Sequence, residues 1–258
     1  MYHKALLQDT LSDTPLSLHL FPSLDSTNSE ARRYATDGKQ TPALFLAEEQ
    51  TAGRGRMGRS FFSPHGTGIY LSLLLKTDSA LSDPITATTA SAVAVRRAIL
   101  AVTGISVGIK WVNDLYYEGK KVCGILAESF FFGSERYLIV GVGVNLSTTD
   151  FPQELTDKAG SLFSGETPLR DALAAEIARG LYEILTDGDP ELFMNDYRAA
   201  SLVLGKEITY LKNTVEHHGI AEEIDDLGRL LVRHPDGTTE LLASGEISLQ
   251  MNDKGEDQ

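Results

Sequence analysis

The segment from Gln50 to Arg59 has the composition of a loop that binds a ligand. It reads QTAGRGRMGR, with arginines at positions 54, 56 and 59 set between glycines. Glycine lets a backbone approach a ligand closely, and arginine donates forked hydrogen bonds to carboxylates and phosphates. No acidic residue occurs between positions 50 and 77, although the whole chain has a net charge of −13. The segment therefore predicts a site for a small anion, with a solvated basic loop as the alternative.

The same segment contains G-x-G-x-x-G, the pattern of many dinucleotide-binding sites. That fingerprint needs a strand before it and a helix directly after it. A strand is predicted at Ala43–Ala47, but Gly58 is followed by RSFFSPHGTG, whose proline and glycines disfavour a helix. A nicotinamide or flavin site is therefore not expected. Walker and protein-kinase motifs are also absent from the sequence.

Two further segments place polar residues on predicted strands. One reads KWVNDL from Lys110 and continues as KVCGIL from Lys121, and the other reads GVGVNL from Gly141. Each has an ordinary explanation when it is taken alone. A lysine at a strand start is commonly a surface residue, and a strand that carries glycine commonly packs against another backbone.

In this order, the segments resemble those of the biotin–protein ligase family. The resemblance begins with DSTN at Asp25, passes through the glycine–arginine loop, KWVNDLYYEGKKVCGILAE and GVGVNL, and ends with GEIS at Gly245. It implies an α/β (α+β) fold, with a mixed-sheet catalytic domain of the class II synthetase and biotin ligase type and a small C-terminal SH3-like β-barrel. It also implies that ATP and Mg²⁺ activate biotin to biotinyl-5'-AMP, and that biotin then passes to a lysine of a biotin carboxyl carrier protein domain.

The resemblance also implies roles for individual residues. Lys121 and Arg56 would be catalytic, with Lys121 between the biotin carboxylate and the α-phosphate and Arg56 facing the phosphate. The residues implied to bind biotin are Ser26, Thr27, Asn28, Gln50, Gly53, Arg54, Gly55, Arg56, Lys121 and Gly124. Those implied to bind the nucleotide are Arg56, Arg59, Phe61, Lys110, Asn113 and Asn145. No residue is assigned to a metal.

Two positions depart from the usual family pattern, and two other functions compete with ligation of biotin. Val112 stands where many members have proline, and Phe61 stands where some have tryptophan. Neither change is expected to remove activity. A lipoate–protein ligase of related fold would use the same adenylate chemistry, but the glycine–arginine loop and the lack of a serine–triple-glycine segment argue against it. A non-enzymatic biotin sensor is disfavoured by Lys121 and the arginines.

Composition limits the partners and the location of the chain. The net charge of −13 disfavours non-specific binding to nucleic acid. About 15 residues precede the first predicted strand, too few for the helix-turn-helix domain that some family members carry. No run approaches the roughly 18 apolar residues of a membrane helix, and the polar N-terminus does not resemble a signal peptide. The lone Cys123, interpreted as a core residue, suits a reducing compartment. We expect a cytoplasmic monomer or homodimer without nucleic-acid or membrane partners.

The elements that must position these residues follow from hydrophobic patterns and end signals. Strands are predicted at Leu16–Phe21, Ala43–Ala47, Gly68–Leu75, Ile105–Val112, Lys121–Phe131 and Arg136–Val144. One helix is predicted to begin at a capping box at Thr27–Glu30 and to end just before Gly38. The other predicted helices are Pro84–Ala101, Leu169–Leu185 and Asp189–Ala200. The strands on either side of residues 113–120 are expected to form one hairpin through a turn at Glu118–Gly119.

The pattern changes near Ser201, after which short β-rich segments follow one another without a helix. They are Leu202–Leu211, Glu216–Ile224, Leu230–Arg233 and Glu240–Leu242. This pattern is typical of a small all-β barrel. The predicted organisation is a catalytic domain at 1–200, an SH3-like domain at 201–250 and a frayed tail at 251–258.

Overall fold

The computed structural model describes residues 1–77, 81, 83–187, 189–212, 214–245 and 247–249, and a seven-stranded sheet is its largest element. The strands are β1 (Ser17–Phe21), β2 (Ala43–Ala47), β3 (Gly68–Lys76), β4 (Gly108–Lys110), β5 (Asp114–Tyr117), β6 (Lys120–Phe132) and β7 (Glu135–Asn145). They lie in the order β1-β2-β3-β7-β6-β5-β4. β1 and β2 are parallel, and the other neighbouring pairs are antiparallel.

Helices cover both faces of this sheet. They are α1 (Lys4–Thr10), α2 (Thr27–Thr36), α3 (Pro84–Thr103), α4 (Arg170–Asp187) and α5 (Pro190–Ala199). Alternate residues of β2 point to opposite faces. Phe45 packs with Ala31 and Ala35 of α2, whereas Leu44 and Leu46 belong to the larger core formed with α3, α4 and α5.

Helix α3 is the most apolar helix of the core. Asp83 caps its N-terminus by accepting the backbone N–H groups of Ile85 and Thr86, and Gly104 ends it in a left-handed conformation at φ 73°. By length and a mean hydropathy of 1.4 it could cross a membrane, although no such run was expected from the sequence. However, 67% of its apolar stretch is buried in the folded chain, as in a core helix.

A second, five-stranded antiparallel sheet follows α5. Its strands are β8 (Glu207–Lys212), β9 (Val215–Ile224), β10 (Leu230–Arg233), β11 (Thr239–Leu242) and β12 (Ile247–Leu249), in the order β11-β10-β9-β8-β12. It contacts the larger sheet through Trp111, whose Nε1 donates to the Gly228 carbonyl at 2.9 Å. The predicted fold class is confirmed. The division at residue 200 stays a proposal, and the predicted tail at 251–258 lies outside the described residues.

The predicted single hairpin around residues 113–120 is wrong. The chain already reverses at Trp111–Asn113, so Asp114–Tyr117 forms β5, which pairs with β4 on one side and β6 on the other. The sequence gives no turn signal at this reversal, because a turn held by tertiary contacts needs no glycine or proline. The segment from Ile105 to Val112 was therefore predicted as one strand. The turn signal at Glu118–Gly119 is confirmed, since both residues have positive φ, 49° and 75°.

The predicted strand that starts at Leu202 begins instead at Glu207. The Leu202 N–H donates to the Ile109 carbonyl at 2.8 Å, which joins this segment to the larger sheet before the smaller one begins. Gly205 then adopts a positive φ of 75°, which ends the extended run and turns the chain into β8.

The start of α2 also differs in detail from its prediction. Ser26 is the N-cap, and Thr27 does not act in a capping box because its hydroxyl donates to Gln50 Oε1 at 3.1 Å. Asp25 accepts the Ser26 N–H at 2.8 Å and two hydrogen bonds from Arg33, at 2.9 and 2.7 Å. These hydrogen bonds from Arg33 lower the pKa of Asp25 to about 2.

Helix α1 was not predicted, because it is short and has no side-chain cap. It forms where Leu7 is buried and where the His3 N–H donates to Asp171 in α4 at 2.9 Å. Next to it, Arg170 and Glu48 form an ion pair of 2.7 Å, with only 12% and 4% of their side chains exposed. Arg170 also donates to the Gly68 carbonyl at 2.9 Å. This pair joins α4 to the ends of β2 and β3.

We predict that Glu48→Gln lowers the free energy of unfolding by about 3 kcal/mol, because it leaves the buried Arg170 guanidinium without its counter-charge. Urea unfolding at pH 7 measures this loss. The matched control is Asp196→Asn, which breaks the half-exposed pair with Arg97 and should cost well below about 1 kcal/mol. Equal losses in the two variants would contradict the role of burial.

We predict that Asp25→Asn lowers stability at neutral pH but not near pH 2. A carboxylate whose pKa is lower in the folded state than in the unfolded state stabilises the fold above its unfolded pKa of about 4. That contribution is lost as the pH falls towards 2. Since the pair with Arg33 is about half exposed, the difference should be only about 0.5 kcal/mol. Thermal unfolding of both proteins from pH 2 to 7 tests this, and a gap that grows towards pH 2 would refute it.

Candidate active site

A pocket lies between the glycine–arginine loop, the start of α2 and strands β5, β6 and β7. Gly245 and Ile247 complete its wall, and Ile247 belongs to β12 of the smaller sheet. The predicted residues that line it are Ser26, Thr27, Asn28, Gln50, Arg54, Gly55, Arg56, Arg59, Phe61, Lys110, Asn113, Lys121 and Gly124. Segments far apart in sequence, from Ser26 to Ile247, are thus brought to one place, while Gly53 and Asn145 lie outside the lining.

Neutral polar groups line the end of the pocket next to α2. Gln50 accepts from both the N–H and the hydroxyl of Thr27, at 2.9 and 3.1 Å, and donates to the Ser63 hydroxyl at 2.9 Å. The hydroxyl of Ser72 lies 2.7 Å from Thr27 Oγ1 and 2.6 Å from Asn28 Oδ1. Ser72 is fully buried. This network fixes the side chains that could offer donors and acceptors to a polar, uncharged ligand group.

Charged groups line the pocket at β5 and the start of β6. Lys121 Nζ lies 2.7 Å from Asp114 Oδ1, and the same oxygen accepts from Asn113 Nδ2 at 2.9 Å. Asn113 Oδ1 in turn accepts from Arg56 Nη1 at 3.0 Å. Arg56 also reaches the Gly245 carbonyl at 3.5 Å. Two cations from distant segments are therefore held at one wall, where they can stabilise negative charge.

The floor of the pocket is formed by β6 and β7, where three glycines leave room for side chains from other segments. Gly124 and Gly143 are opposite each other on β6 and β7, and Gly141 is opposite Leu126. The Phe61 ring occupies the space above Gly143, because a Cβ added there would lie 2.4 Å from Phe61 Cε1. Asn28 occupies the space above Gly141 in the same way, at 2.1 Å. Any larger residue at these positions would displace the groups that line the pocket.

The glycine–arginine loop folds back on itself. The Gly55 N–H donates to the Arg59 carbonyl at 2.7 Å, and the Phe61 N–H donates to the Gly53 carbonyl at 2.9 Å. The tip contains two left-handed residues, Met57 at φ 55° and Gly58 at φ 75°. No helix follows the tip within residues 59–77, so the dinucleotide-binding fingerprint lacks the helix that it requires.

Gly53 and Asn145 support the pocket from behind. A Cβ at Gly53 would lie 2.4 Å from the Phe61 carbonyl oxygen, so the glycine permits the close return of the loop. The amide of Asn145 donates to the Gly160 carbonyl at 3.1 Å and to the Lys121 carbonyl at 3.4 Å. It therefore holds the backbone at the start of β6. The role in nucleotide binding that was predicted for Asn145 stays a prediction.

Cys123 is fully buried in β6, as predicted. Burial raises the pKa of its thiol well above the usual range, so it is not a nucleophile at neutral pH. Among the described residues, no group of three or more histidine, cysteine, aspartate or glutamate side chains could hold a metal ion. Asp114 is the one carboxylate among the described residues that line the pocket.

Sequence reasoning missed several residues that hold the site together. They are Ser72, Asp114, Glu128, Gly141 and Gly143. Asp114 and the two glycines lay inside recognised motifs, so their positions were available without their contacts. Glu128 also lay inside a recognised motif, as the last residue of KWVNDLYYEGKKVCGILAE. Ser72 carried no comparable signal, although a serine in the otherwise apolar run of β3 was a clue that it has a buried polar partner.

Comparisons with known proteins agree with this arrangement. Residues 20–145 match the biotin/lipoate A/B protein ligase family, and residues 203–250 match the biotin protein ligase C terminal domain. The chain is 35% identical to a biotin–[acetyl-CoA-carboxylase] ligase of Paracoccus denitrificans, over 83% of this chain and 92% of that protein. It is 34% identical to the bifunctional ligase/repressor BirA of Bacillus spizizenii, over 88% and 72%. The biotin protein ligase of Aquifex aeolicus, solved with biotin and ATP, superposes with a TM-score of 0.72 at 27% identity, over 91% and 98%.

Proposed function

The chain belongs to the biotin protein ligase family and is a ligase, and on that premise we propose that it activates biotin with ATP and transfers it to a lysine of a biotin carboxyl carrier protein domain. The observation that carries the proposal is a single pocket that is lined both by neutral hydrogen-bonding groups and by two held cations. Biotin has the same division, with an uncharged ureido ring and an anionic carboxylate.

The first step forms biotinyl-5'-AMP. A carboxylate oxygen of biotin attacks the α-phosphorus of ATP, a new P–O bond forms, and the bond to pyrophosphate breaks. Two anions must approach each other, so fixed positive charge lowers the barrier. Lys121 would lie between the carboxylate and the α-phosphate, and Arg56 would face the phosphate. Asp114 would orient Lys121 without neutralising the whole wall, because Arg56 and Lys110 also line it.

Mg²⁺ is expected to arrive with ATP. It commonly binds through substrate phosphates, water and one or two carboxylates, and needs no dedicated protein cage. Asp114 would supply such a carboxylate, since it lines the pocket. When bound, the ion would neutralise charge on the phosphates. Lys110 and Asn113 would lie on this side, and Phe61 would present its ring to the nucleotide.

The second step transfers the biotinyl group. The neutral amine of the acceptor lysine attacks the acyl carbon, the bond to the phosphate oxygen breaks, and AMP leaves. The mixed anhydride is sensitive to water, so a loop that covers it has a clear use. The loop from Gln50 to Arg59 lines the pocket and would supply that cover.

The remaining expectations about partners and location also become proposals. The acidic chain is proposed to bind no nucleic acid, since its net charge is −13. A cytoplasmic location is proposed from the lone, buried Cys123. Lipoate is the competing acid, because the matched family name covers both biotin and lipoate ligases.

We predict that the protein catalyses pyrophosphate exchange into ATP with biotin and Mg²⁺, and not with lipoate. It should then label one lysine of a biotin carboxyl carrier domain, with mass spectrometry locating the label. An acceptor domain whose target lysine is changed to arginine is the control. If exchange occurs with lipoate and not with biotin, lipoate replaces biotin as the proposed substrate. If biotin supports exchange but no label appears on several carrier domains, the proposed acceptor is wrong.

We predict that Lys121→Ala and Arg56→Ala affect different steps. Lys121→Ala should lower the exchange rate by on the order of 10²–10³, the usual cost of losing a group that stabilises developing charge. Arg56→Ala should still form the adenylate but release it about 10- to 100-fold faster, as expected for loss of a charge-assisted contact. Exchange measures the first effect and the adenylate off-rate measures the second.

Lys76→Ala is the control for both variants, because Lys76 lies on β3 outside the pocket, where it pairs with Glu135. Wild-type exchange by Lys121→Ala would show that this lysine does not bridge the reacting groups. If Arg56→Ala loses exchange while its adenylate off-rate stays normal, the role proposed for Arg56 in retaining the adenylate is wrong.

A further inference from the structure

Glu128 connects three elements beside the pocket. Its carboxylate receives a bidentate pair from Arg54 of the loop, with Nη1–Oε2 at 2.9 Å and Nη2–Oε1 at 2.8 Å. It also accepts from Asn28 Nδ2 at 2.9 Å, and Arg32 lies 3.7 Å away. Glu128 itself is on β6. One carboxylate therefore ties the glycine–arginine loop and the start of α2 to the sheet.

This pair is built to hold a position. Only 18% of the Glu128 side chain is exposed, against 41% for Arg54. Bidentate pairs between arginine and a carboxylate fix orientation as well as distance, and partial burial weakens competition from water. The Ser72 hydroxyl donates to Asn28 Oδ1 at 2.6 Å, so the amide that donates to the Glu128 carboxylate is itself held in place. Both terminal nitrogens of Arg54 therefore bond to Glu128 before any ligand binds.

The pair with Glu128 changes the role that is expected for Arg54. The family resemblance placed Arg54 among the residues that bind biotin, and the structure directs both terminal nitrogens of its guanidinium to Glu128. Arg54 and Gly55 nevertheless line the pocket. The part of Arg54 that remains for a ligand is then its backbone, whose place depends on where the side chain is anchored.

We propose that Glu128 is a positioning residue that holds the glycine–arginine loop over bound biotinyl-adenylate through the side chain of Arg54. The inference rests on the proposed function. The loop is then held by two attachments, each with its own function. Arg54 with Glu128 fixes one arm of the loop, while Arg56, attached to Asn113, meets the phosphate end. Loss of Glu128 should loosen the loop without removing a group that touches the reacting atoms.

The test is a double-mutant cycle of Glu128→Gln, Arg54→Gln and the two changes together. Each single change should raise the off-rate of biotinyl-adenylate about tenfold, as expected for one charge-assisted contact. In Glu128→Gln the maximal rate of pyrophosphate exchange should stay within about twofold of wild type, because Glu128 lies outside the pocket lining. The double variant should release the adenylate no faster than either single variant, because both changes remove the same contact.

A second readout needs no substrate. Trypsin should cut substrate-free Glu128→Gln after Arg56 and Arg59 several-fold faster than wild type, at an unchanged unfolding temperature. The control is Glu135→Gln, which removes an exposed glutamate from the same β6–β7 hairpin outside the pocket. It should leave both the off-rate and the cleavage rate as in wild type.

Three results would overturn the proposal. A faster off-rate in Arg54→Gln but not in Glu128→Gln would mean that the Arg54 side chain acts on the ligand directly. Additive effects in the double variant would mean that the two residues act separately. Unchanged cleavage of Glu128→Gln would mean that the pair does not hold the loop. If wild type makes no adenylate from biotin, the proposed function fails instead, and the cleavage assay still decides whether Glu128 holds the loop.

Discussion

Two arginine side chains attach one glycine-rich loop to the sheet, and the shape of the pocket depends on both. Arg54 is held by Glu128 on β6, and Arg56 is held by Asn113 at the turn before β5. A guanidinium is planar and permanently charged, so each attachment fixes direction as well as distance. Since the loop forms one wall, a change at either attachment alters the pocket without touching its floor.

The floor imposes the complementary constraint. Gly124 and Gly143 form a cross-strand pair, and Gly141 lies on the same strand as Gly143. Their neighbours Val140, Val142 and Val144 are buried in the core. The strands can therefore be stable elements of the sheet and still leave room above their glycines for side chains from other segments. Phe61 and Asn28 lie where side chains would otherwise stand, so the site is lined by groups from the loop and from α2.

The charged residues that line the pocket are mainly cations, although the whole molecule is acidic. The chain has a net charge of −13, but its pocket is lined by Arg54, Arg56, Arg59, Lys110 and Lys121, with Asp114 as the one carboxylate among the described lining residues. Each of the paired cations keeps a defined partner, which fixes its position before any ligand binds. Groups placed in advance need no reorganisation when charge develops, and this is the main electrostatic advantage of an enzyme over water.

The sequence by itself determined the fold class, most of the helices and strands, and the residue types of the site. It could do so because helix ends, strand patterns and the glycine–arginine motif are local or are matched in order along the chain. It did not determine the start of β5, helix α1, the cap of α2 or the partner of Arg54. Those depend on contacts between segments far apart in sequence, such as Arg54 with Glu128, 74 positions away, and His3 with Asp171, 168 positions away. Packing and buried hydrogen bonds decide such contacts, and no local pattern records them.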